Sequence, residues 1–567
     1  LHGAREMATP VIAMTTTLVA VYAPIGFMGG LVGSLFTEFA FTLAGAVLVS
    51  GVVALTLSPM LSGMILKPHG NPTRFEGFVE RSFERLATTY QRALAVVLQS
   101  VWVVVFFAAV LLASIWFMLQ FSQNELAPQE DQGILLFQGT APQTATLEYM
   151  QDYAIDMQQA FEQLPGYDET FMLIGMGGGN TMFGGFKLKP WDQRDISQFE
   201  VEPQMQQAMA GITGMRISVF SRPPVPGAGD GLPLQFVINS GKSYEEINAV
   251  ADELLGRGMG SGLFMFLQKS IDIDRPISKV VIDRERAADL GLSMGDIGRS
   301  LANMLGGGYI NRFNMQGRSY EVIPQVERSA RASVDDLKNY YIRADSGDLV
   351  ALSNVVDFES VVEPSSRTQH NQLNAIALEG VLRPGVSMGE ATAFLEQAAG
   401  EMFPAGFNYD YKGQSRQFKQ QGSALLITFF LSLLVIYLVL AAQFESWRDP
   451  LIILVTVPLS VAGAMAFIML GAASMNIYTQ VGLITLIGVV SKNGILIVEF
   501  ANQLQAEKQL DKLQSVIEAA AIRLRPILMT SVALVVAMIP LLLASGPGAE
   551  SRFAIGLTIA TGLGIGT

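Results

Sequence analysis

Long apolar stretches alternate with one long polar block along this chain. Eight stretches are apolar enough to be membrane helices, which need about 20 apolar residues each. They lie near residues 9–28, 36–64, 95–118, 423–443, 450–470, 479–500, 526–544 and 553–567. The last stretch has 15 residues, so we expect it to be an incomplete span. The pattern predicts an α-helical polytopic membrane protein with a large extramembrane block.

The basic residues between these stretches favour one side of the membrane. Lys and Arg cluster in the connectors 65–94 and 501–525, whereas the connectors 29–35 and 471–477 contain neither. Because successive helices alternate in direction, every basic connector falls on one face, which the positive-inside rule makes cytoplasmic. Residues 119–422 are then expected outside the cytoplasm.

The connector at residues 71–94 is itself amphipathic. Its apolar residues recur near helical spacing, and its polar positions carry several Arg. Such a helix lies either on the cytoplasmic membrane surface or against the protein's own transmembrane ends. The sequence does not separate these two positions.

The polar block contains two related patterns of strands and helices. The first has strands at 133–141, 169–175, 181–191 and 215–221, with helices at 144–164 and 199–212. This β-α-β-β-α-β order is that of the ferredoxin-like split βαβ unit. A second unit begins at 232–240, is interrupted by an insert, and is closed by 407–413. The block is therefore predicted to be α+β.

Two apolar helices repeat one another at an offset of 516 residues. TPVIAMTTTLVAVYAP (9–24) matches RPILMTSVALVVAMIP (525–540), with two prolines fourteen apart in each and a glycine-rich turn after each. Parallel duplicated halves are typical of transporters. A full duplication implies a parent of about 1000 residues with about 420 upstream of residue 1. The alternative is two unrelated helices that share prolines.

Composition and charge exclude several function classes. Only 15% of residues are charged, below the roughly 25% of soluble domains. The net charge of −13 is concentrated in residues 119–422, with 38 acidic and 24 basic residues, which argues against nucleic-acid binding. With no Cys and three His, a thiolate or His-rich metal site is not expected, and no nucleophile–base set indicates an enzyme.

Lys492 stands well inside the apolar stretch 479–500. It lies eight residues from Phe500, about 12 Å along a helix axis, and a lysine stem reaches only about 6 Å, so snorkelling to the membrane surface is disfavoured. The other charges in the apolar stretches, Glu38 and Glu499, lie near stretch ends, and Glu499 is about 10 Å from Lys492. A lysine at membrane depth is expected to pair with an acid. We expect that acid to lie upstream of this sequence.

Polar residues accompany Lys492 on the same helix face and on the next helix. Asn493 follows it directly, and Thr485 and Gly488 lie seven and four residues before it. Thr530 and Ser531 lie one turn into the following helix. These positions predict a polar seam, although a membrane hydroxyl often only bonds a carbonyl one turn back.

The residues around Lys492 also carry a family resemblance. GLITLIGVVSKNGILIVEFA (482–501) and RLRPILMTS (523–531) resemble the tenth and eleventh transmembrane helices of resistance-nodulation-division exporters, in the hydrophobe/amphiphile multidrug branch. The similarity extends from TTTLVAVYAPIGFMGG (15–30) through APQEDQG (127–133) to the end of the chain. It implies proton-driven drug/H⁺ antiport in the inner membrane of a Gram-negative bacterium, powered by the proton gradient with no cofactor.

The resemblance assigns roles to particular residues. It implies a proton relay of Lys492, Asn493, Thr530 and Arg523, in which Lys492 pairs with two aspartates on a fourth helix upstream of residue 1. It also implies a substrate pocket lined by Phe171, Met176, Phe183, Phe220, Arg222 and Gln268. Met176, Gly178 and Arg222 depart from the residue types common in the family, so the substrate range stays open.

The resemblance also names the segments of the chain. The implied division is transmembrane helices 5–6 at 1–70, a cytoplasmic connector helix at 71–94, helix 7 at 95–118, a first periplasmic porter subdomain at 119–230, a second at 231–274 and 367–422, a docking insert at 275–366, and helices 8–12 at 423–567. The hairpin-like segment 309–324 would reach into a neighbouring protomer of a homotrimer, or be a plain surface hairpin. Other implied partners are amphiphilic substrates, a periplasmic adaptor, an outer-membrane channel and the lipid bilayer.

Two other functions remain open on the sequence. Met172, Met176, Met182 and Met205 suit soft copper or silver ions, as in the family's metal-exporting branch, although they lack a ligand spacing. A non-pumping scaffold or translocation auxiliary would not need a lysine at membrane depth. The chain as given is expected to be inactive by itself, because the helix with the acidic partners is not in it.

Overall fold

A computed structural model describes residues 8–65, 74–176, 179–227, 229, 231–364 and 366–567 of the chain. Residues 1–7 and 66–73 lie outside the described residues, so the ends of the predicted segments 1–70 and 71–94 there are not tested, and neither is Gly178. The described residues form a group of long apolar helices and an α/β block.

The helices before the polar block have the predicted order with shifted bounds. They are α1 (Ala8–Gly26), α2 (Gly30–Leu55), α3 (Leu57–Ile65), α4 (Arg74–Leu98) and α5 (Val101–Phe121). The connector helix α4 runs to Leu98 rather than to residue 94, and the following span begins at Val101 rather than at 95. The helix break falls at the polar pair Gln99–Ser100, because apolar residues 93–98 continue α4 without interruption.

Helix α4 packs on another helix of the chain. The guanidinium of Arg525, in the helix Lys512–Leu542, lies 5.1 Å from the ring of Phe83 on α4. The partly covered residues of α4, among them Phe83 and Tyr90, recur at helical spacing on one side, while the other side is exposed. Of the two positions expected for this connector, the structure shows contact with the protein's own helices.

The first α/β unit follows directly from alternation of apolar residues. It comprises β1 (Ile134–Thr140), α6 (Leu147–Glu162), β2 (Tyr167–Met176), β3 (Thr181–Leu188), α7 (Gln198–Ala210) and β4 (Arg216–Ser221). Every second residue of β1 is buried, and α6 buries residues three and four apart. The sheet order is β2-β3-β1-β4 with all neighbours antiparallel, so the predicted β-α-β-β-α-β order is the observed one.

The second unit has the same arrangement and carries the insert. In chain order its segments are β5 (Leu234–Ser240), α8 (Tyr244–Gly260), β6 (Phe264–Lys269), then the insert with β7 (Arg275–Ile282), α9 (Arg284–Asp289), α10 (Met294–Leu305), β8 (Asn311–Met315), β9 (Arg318–Val322), α11 (Val334–Leu337), β10 (Tyr341–Arg343), β11 (Leu349–Ala351) and β12 (Val356–Glu363), then β13 (Gln369–His370), β14 (Leu373–Leu382), α12 (Met388–Met402) and β15 (Phe407–Tyr411). Strand β5 lies between β14 and β15, and β6 pairs with β14. The ribbon of β7 and β12 leads into and out of the insert, where β8 and β9 form a fully exposed hairpin.

The last helices surround one central helix. They are α13 (Gly413–Phe444), α14 (Asp449–Leu454), α15 (Thr456–Met469), α16 (Ile477–Lys508), α17 (Lys512–Leu542) and α18 (Ala549–Gly566). In its most apolar stretch α16 is 72% buried, whereas the stretch in α5 is 0% buried. By length and composition, six spans within the described residues are able to cross a membrane, and Pro10–Gly26 is a shorter apolar helix.

The backbone supports the internal repeat between α1 and α17. Gly30 follows α1 with φ 76°, and Gly546 follows α17 with φ 84°, at the same offset of 516 residues as the matching prolines. A positive φ of this size favours glycine. The two helices therefore share the turn that ends them as well as their sequence pattern.

Candidate functional site

Lys492 lies on the central helix α16, one turn beyond a close helix crossing. At Gly488, an added Cβ would lie 2.8 Å from Val21 and 3.2 Å from Leu18, so only a glycine lets α1 approach this closely. Lys492 is half-buried on the same face of α16. Among the described residues, no hydrogen-bond or ion-pair partner reaches its ammonium group. Within the part of the chain that the structure describes, the site therefore presents a lysine without a counter-charge.

A polar connection next to Lys492 joins three helix segments. The Asn493 side-chain amide donates to the Thr567 hydroxyl at 3.4 Å, and the Ser531 hydroxyl lies 3.1 Å from the same oxygen. The Asn493 carbonyl oxygen is buried and has no hydrogen-bond partner among the described residues. Ser531 is 5% exposed, so it is this hydroxyl that faces the interior.

The structure does not bring Thr530 and Arg523 to Lys492. The Thr530 side chain is exposed, and its hydroxyl donates to the Ile527 carbonyl of its own helix at 3.0 Å. The Arg523 guanidinium lies 4.5 Å from the ring of Phe500, near the end of the apolar part of α16. The predicted relay roles of these two residues stay predictions. Ser531, adjacent to Thr530, is the hydroxyl that the family resemblance did not select.

The segment 123–131, which follows α5, is tied to the start of α16. The Glu125 amide donates to the Met475 carbonyl at 3.0 Å, and the Ile477 amide donates to the Leu126 carbonyl at 3.1 Å. These backbone bonds form a short parallel pairing. A shift of α16 along its axis would therefore displace the 123–131 segment.

The same segment is anchored to the first α/β unit by a buried ion pair. Both Arg194 terminal nitrogens contact the Asp131 carboxylate, at 2.6 and 3.0 Å, and the Gln198 amide at the start of α7 donates to it at 2.8 Å. The Arg194 and Asp131 side chains are 1% and 5% exposed. Paired geometry of this kind fixes both charges in place.

Two further contacts connect the 123–131 segment with α18 and with the second unit. The Glu130 carboxylate accepts hydrogen bonds from the Ser551 amide at 2.7 Å and the Glu550 amide at 3.3 Å, in the first turn of α18. The Gly389 amide at the start of α12 donates to the Asn124 carbonyl at 3.0 Å. One short segment therefore contacts two membrane-type helices and both α/β units.

A cavity of about 670 Å³ lies beside the sheet of the first unit, against the linker of residues 222–233 that leads to the second unit. Four of the six predicted substrate residues line it: Met176, Phe183, Phe220 and Arg222. Phe220 is 1% exposed and packs with Leu232 of the linker, whereas Arg222 and Met176 are exposed. The cavity combines apolar and aromatic walls with one cation, which suits an amphiphilic ligand.

The two remaining predicted substrate residues lie outside this cavity. The Phe171 ring is 6.4 Å from the Phe183 ring and is 46% exposed at the sheet surface. Gln268 lines a separate polar cavity of about 170 Å³, which shares Gln138 and Thr181 with the larger one. Their predicted contact with substrate stays a prediction, because the structure does not place all six side chains around one space.

A second large cavity, of about 640 Å³, is also lined by Phe220. Two acids that the sequence reading did not select line it, Glu125 and Glu202. Burial raises the pKa of both carboxyls, although hydrogen bonds from Ser474 and Ser221 partly oppose this. The Ser221 hydroxyl donates to Glu202 at 2.7 Å.

Comparison with known proteins settles the family. The family model described as the AcrB/AcrD/AcrF family matches residues 1–567, the whole chain. The chain belongs to this family. The resemblance to resistance-nodulation-division multidrug transporters that the sequence carries is thereby confirmed.

Several bacterial transporters are similar to this member of the AcrB/AcrD/AcrF family. It is 38% identical over 571 residues to an uncharacterized transporter of Haemophilus influenzae, covering 100% of this chain and 55% of that protein. It is 32% identical to the multidrug/solvent efflux pump membrane transporter MepB of Pseudomonas putida, covering 99% of this chain and 55% of MepB. For the multidrug export protein AcrF of Escherichia coli the identity is 28%, covering 97% and 55%. The chain thus spans about half the length of these family members.

Three of the four methionines that suggested metal transport pack in or against the core of the first unit. Met182 and Met205 are buried in the core of the first unit, and Met172 packs against that core. Met176 is 50% exposed at the mouth of the 670 Å³ cavity. Within the described residues, no group of three or more His, Asp or Glu side chains is placed to hold a metal ion.

Proposed function

We propose that the protein carrying this chain is a proton-driven exporter of amphiphilic compounds in the inner membrane of a Gram-negative bacterium. The observation that carries the proposal is Lys492, half-buried on the central helix α16 with no counter-charge among the described residues. A lysine at membrane depth costs about 2.5–3.5 kcal/mol on insertion scales, so it is retained for function. Family membership and the cavity lined by Phe183, Phe220 and Arg222 support amphiphilic compounds as the proposed cargo.

The proposed orientation follows from the basic connectors. The connectors at 65–94 and 501–525 face the cytoplasm, and the α/β block at 119–422 lies in the periplasm. The two α/β units are then the periplasmic porter subdomains, and the insert at 275–366 is the docking subdomain. The packing of α4 against α17 on the side of the basic connectors supports this orientation.

Lys492 is proposed to alternate between two pairing states. With its acidic partners ionised, it forms an ion pair; with them protonated, it is released. Because packed helices have discrete arrangements, the change in pairing shifts α16 against α1 at the Gly488 crossing. The hydroxyl and amide connection of Asn493, Thr567 and Ser531 supports proton movement beside it.

The 123–131 segment is proposed to transmit this shift to the porter. It is bonded to α16 through Met475 and Ile477, and to both α/β units through Asp131 and Asn124. A movement of α16 therefore changes the relation of the two units. The cavity that Phe183, Phe220 and Arg222 line beside the linker between the two units is where the substrate is proposed to bind.

The proposed assembly is a homotrimer that works with a periplasmic adaptor and an outer-membrane channel. The exposed hairpin of β8 and β9 supports a protomer contact, because its five-residue strands expose every side chain and carry Phe313 and Tyr320. Exposed aromatic side chains of this kind are common at protein interfaces.

Transport by a Lys492→Met variant tests the proposal. Cells that make the full-length protein with its adaptor and channel are loaded with a fluorescent amphiphilic dye and should expel it when energised, and a protonophore should stop this efflux. Lys492→Met should abolish the proton-gradient-dependent efflux. The matched control is Lys512→Met, since Lys512 is exposed at the start of α17. Efflux by Lys492→Met at the rate of the unaltered protein would contradict the role proposed for Lys492, and the absence of protonophore-sensitive efflux from the unaltered protein would support a scaffold role.

A further inference from the structure

A third cavity, of about 400 Å³, lies where three membrane-type helices end. Three parts of the chain surround it: the segment after α5, the first turns of α13 at residues 418–422, and the first turn of α16. Helix α5 ends at Phe121, the apolar part of α13 begins after Gly422, and α16 begins at Ile477. The cavity is therefore at the level where hydrocarbon gives way to lipid headgroups.

Two opposite charges are held at fixed positions in this cavity. The Lys419 ammonium contacts the Glu396 carboxylate at 2.8 Å and lies 5.4 Å from the Tyr411 ring. The Glu125 carboxylate accepts a hydrogen bond from the Ser474 hydroxyl at 3.2 Å. Lys419 and Glu125 both line the cavity, so one basic and one acidic side chain border it.

A buried acceptor without a partner also lines the cavity. Gln421 is 7% exposed, and its carbonyl oxygen has no hydrogen-bond partner among the described residues. A buried acceptor left unpaired loses the hydrogen bonds that water would give it, so a ligand that donates an N–H here is favoured. Gln421 and Glu125 therefore contribute acceptors to the cavity lining, and Lys419 contributes a donor.

We propose that this cavity binds the headgroup of a zwitterionic phospholipid with a primary ammonium group, as in phosphatidylethanolamine. The ammonium donates to Glu125 and Gln421, and the phosphate accepts from Lys419. A choline headgroup carries no N–H donor and leaves the Gln421 oxygen unpaired. A glycerol headgroup carries no cation for Glu125. The proposal concerns lipid binding and does not depend on transport.

Lipid retention tests the headgroup site. The protein expressed from its native coding sequence is placed in nanodiscs of equal parts phosphatidylethanolamine, phosphatidylcholine and phosphatidylglycerol with the same acyl chains. It is then extracted in mild detergent, and the retained lipids are counted by mass spectrometry. We expect phosphatidylethanolamine to be enriched about twofold over its one-third share of the nanodisc. Soluble phosphoethanolamine at millimolar concentration should not displace it, since the acyl chains anchor the lipid.

Variants locate the enrichment. Glu125→Gln, Lys419→Gln and Gln421→Met should each reduce it toward the bulk share, whereas Gln505→Met, at the far end of α16, should leave it unchanged. Size-exclusion profiles and thermal unfolding identify a variant that fails to fold. Lipid retention by the two remaining variants then tests the site. Equal retention of phosphatidylethanolamine and phosphatidylcholine, preference for phosphatidylglycerol, or enrichment that survives all three variants would overturn the proposal.

Discussion

Glu202 shows how burial of a single carboxyl changes the chemistry of a cavity wall. Its side chain lines the 640 Å³ cavity and accepts a hydrogen bond from Ser221, which in turn accepts one from Gln198 at 2.8 Å. Burial raises the pKa of the Glu202 carboxyl, because the charged form loses hydration. The hydrogen bond from Ser221 lowers the pKa, but it is the smaller effect.

The raised pKa predicts a stability difference that depends on pH. The folded protein binds the Glu202 proton more tightly than the unfolded chain does. The free energy of unfolding therefore falls as pH rises from the unfolded pKa of this carboxyl through its folded pKa. Glu202→Gln should therefore unfold at nearly the same temperature as the unaltered protein in acid and at a higher temperature at neutral pH. Thermal unfolding in detergent across pH measures this.

Glu200, two residues away, provides a control of opposite sign. Hydrogen bonds from the Ser197 backbone and hydroxyl lower the pKa of the Glu200 carboxyl, which caps α7. Glu200→Gln should therefore be less stable than the unaltered protein at neutral pH, and the difference should shrink as pH falls through the lowered pKa. If both variants change stability by the same amount at every pH, burial is not what distinguishes the two acids.

At the scale of single helices, close crossings define how α16 is held. Glycines of α16 face neighbouring helices: Gly482 faces Thr558 of α18, Gly488 faces Val21 of α1, and Gly494 faces Ile453 of α14. Small residues at such crossings let the helix backbones approach closely. In lipid, the resulting van der Waals packing drives helix association, because the hydrophobic effect does not act between helices there. The central helix is therefore fixed by the shape of its surface.

Gly488→Ala should loosen the contact between α1 and α16. The new methyl group would lie 2.8 Å from Val21, too close without movement of a helix, and overpacking typically costs about 1–3 kcal/mol. Gly45→Ala in α2 is the matched control, since an added Cβ there meets nothing within 4 Å. Thermal unfolding should fall for Gly488→Ala alone. Equal behaviour of the two variants would mean that α1 is not tightly packed at this crossing.

At the scale of the whole molecule, the 123–131 segment is where the membrane helices and the α/β block meet. Glu130 binds the first turn of α18, and Asp131 binds Arg194 of the first unit. Two adjacent acids thus contact different parts of the molecule, one on each side. Coupling between the helices and the block is expected to depend on both.

Glu130→Ala should release the start of α18 without unfolding the α/β units. Amide hydrogen exchange should increase around Glu550 and Ser551, which lose their acceptor, and stay unchanged in α7. Glu169→Ala, at an exposed ion pair with Lys187, is the control and should change neither region. Increased exchange throughout the first unit would show that Glu130 supports the fold rather than the link to α18.

Local patterns predicted most of the fold and only part of the site. Period-two burial identified β1, and a charge within an apolar stretch identified Lys492, because each signal is contained in a few neighbouring residues. The pairing of Glu125 with Ser474 has no such signal, since the residues are 349 positions apart. The choice between Thr530 and Ser531 depends on helix rotation, and the structure buries Ser531. The sequence pattern ends the connector helix at residue 94, whereas α4 ends at Leu98. Residues 93–98 are apolar, so the pattern alone assigns them equally well to α4 or to the span that follows.

The crossing at Gly488 has a consequence for the time course of biosynthesis. The residues that touch there, Val21 and Gly488, are separated by about 470 positions along the chain. At the usual 5–20 residues per second, α1 leaves the ribosome roughly 25–95 seconds before its partner exists. During that interval α1 can pair with α2, which follows it directly. The side of α1 that packs against α16 stays without its partner helix until α16 is synthesised. Insertion factors are able to bind that side during the interval.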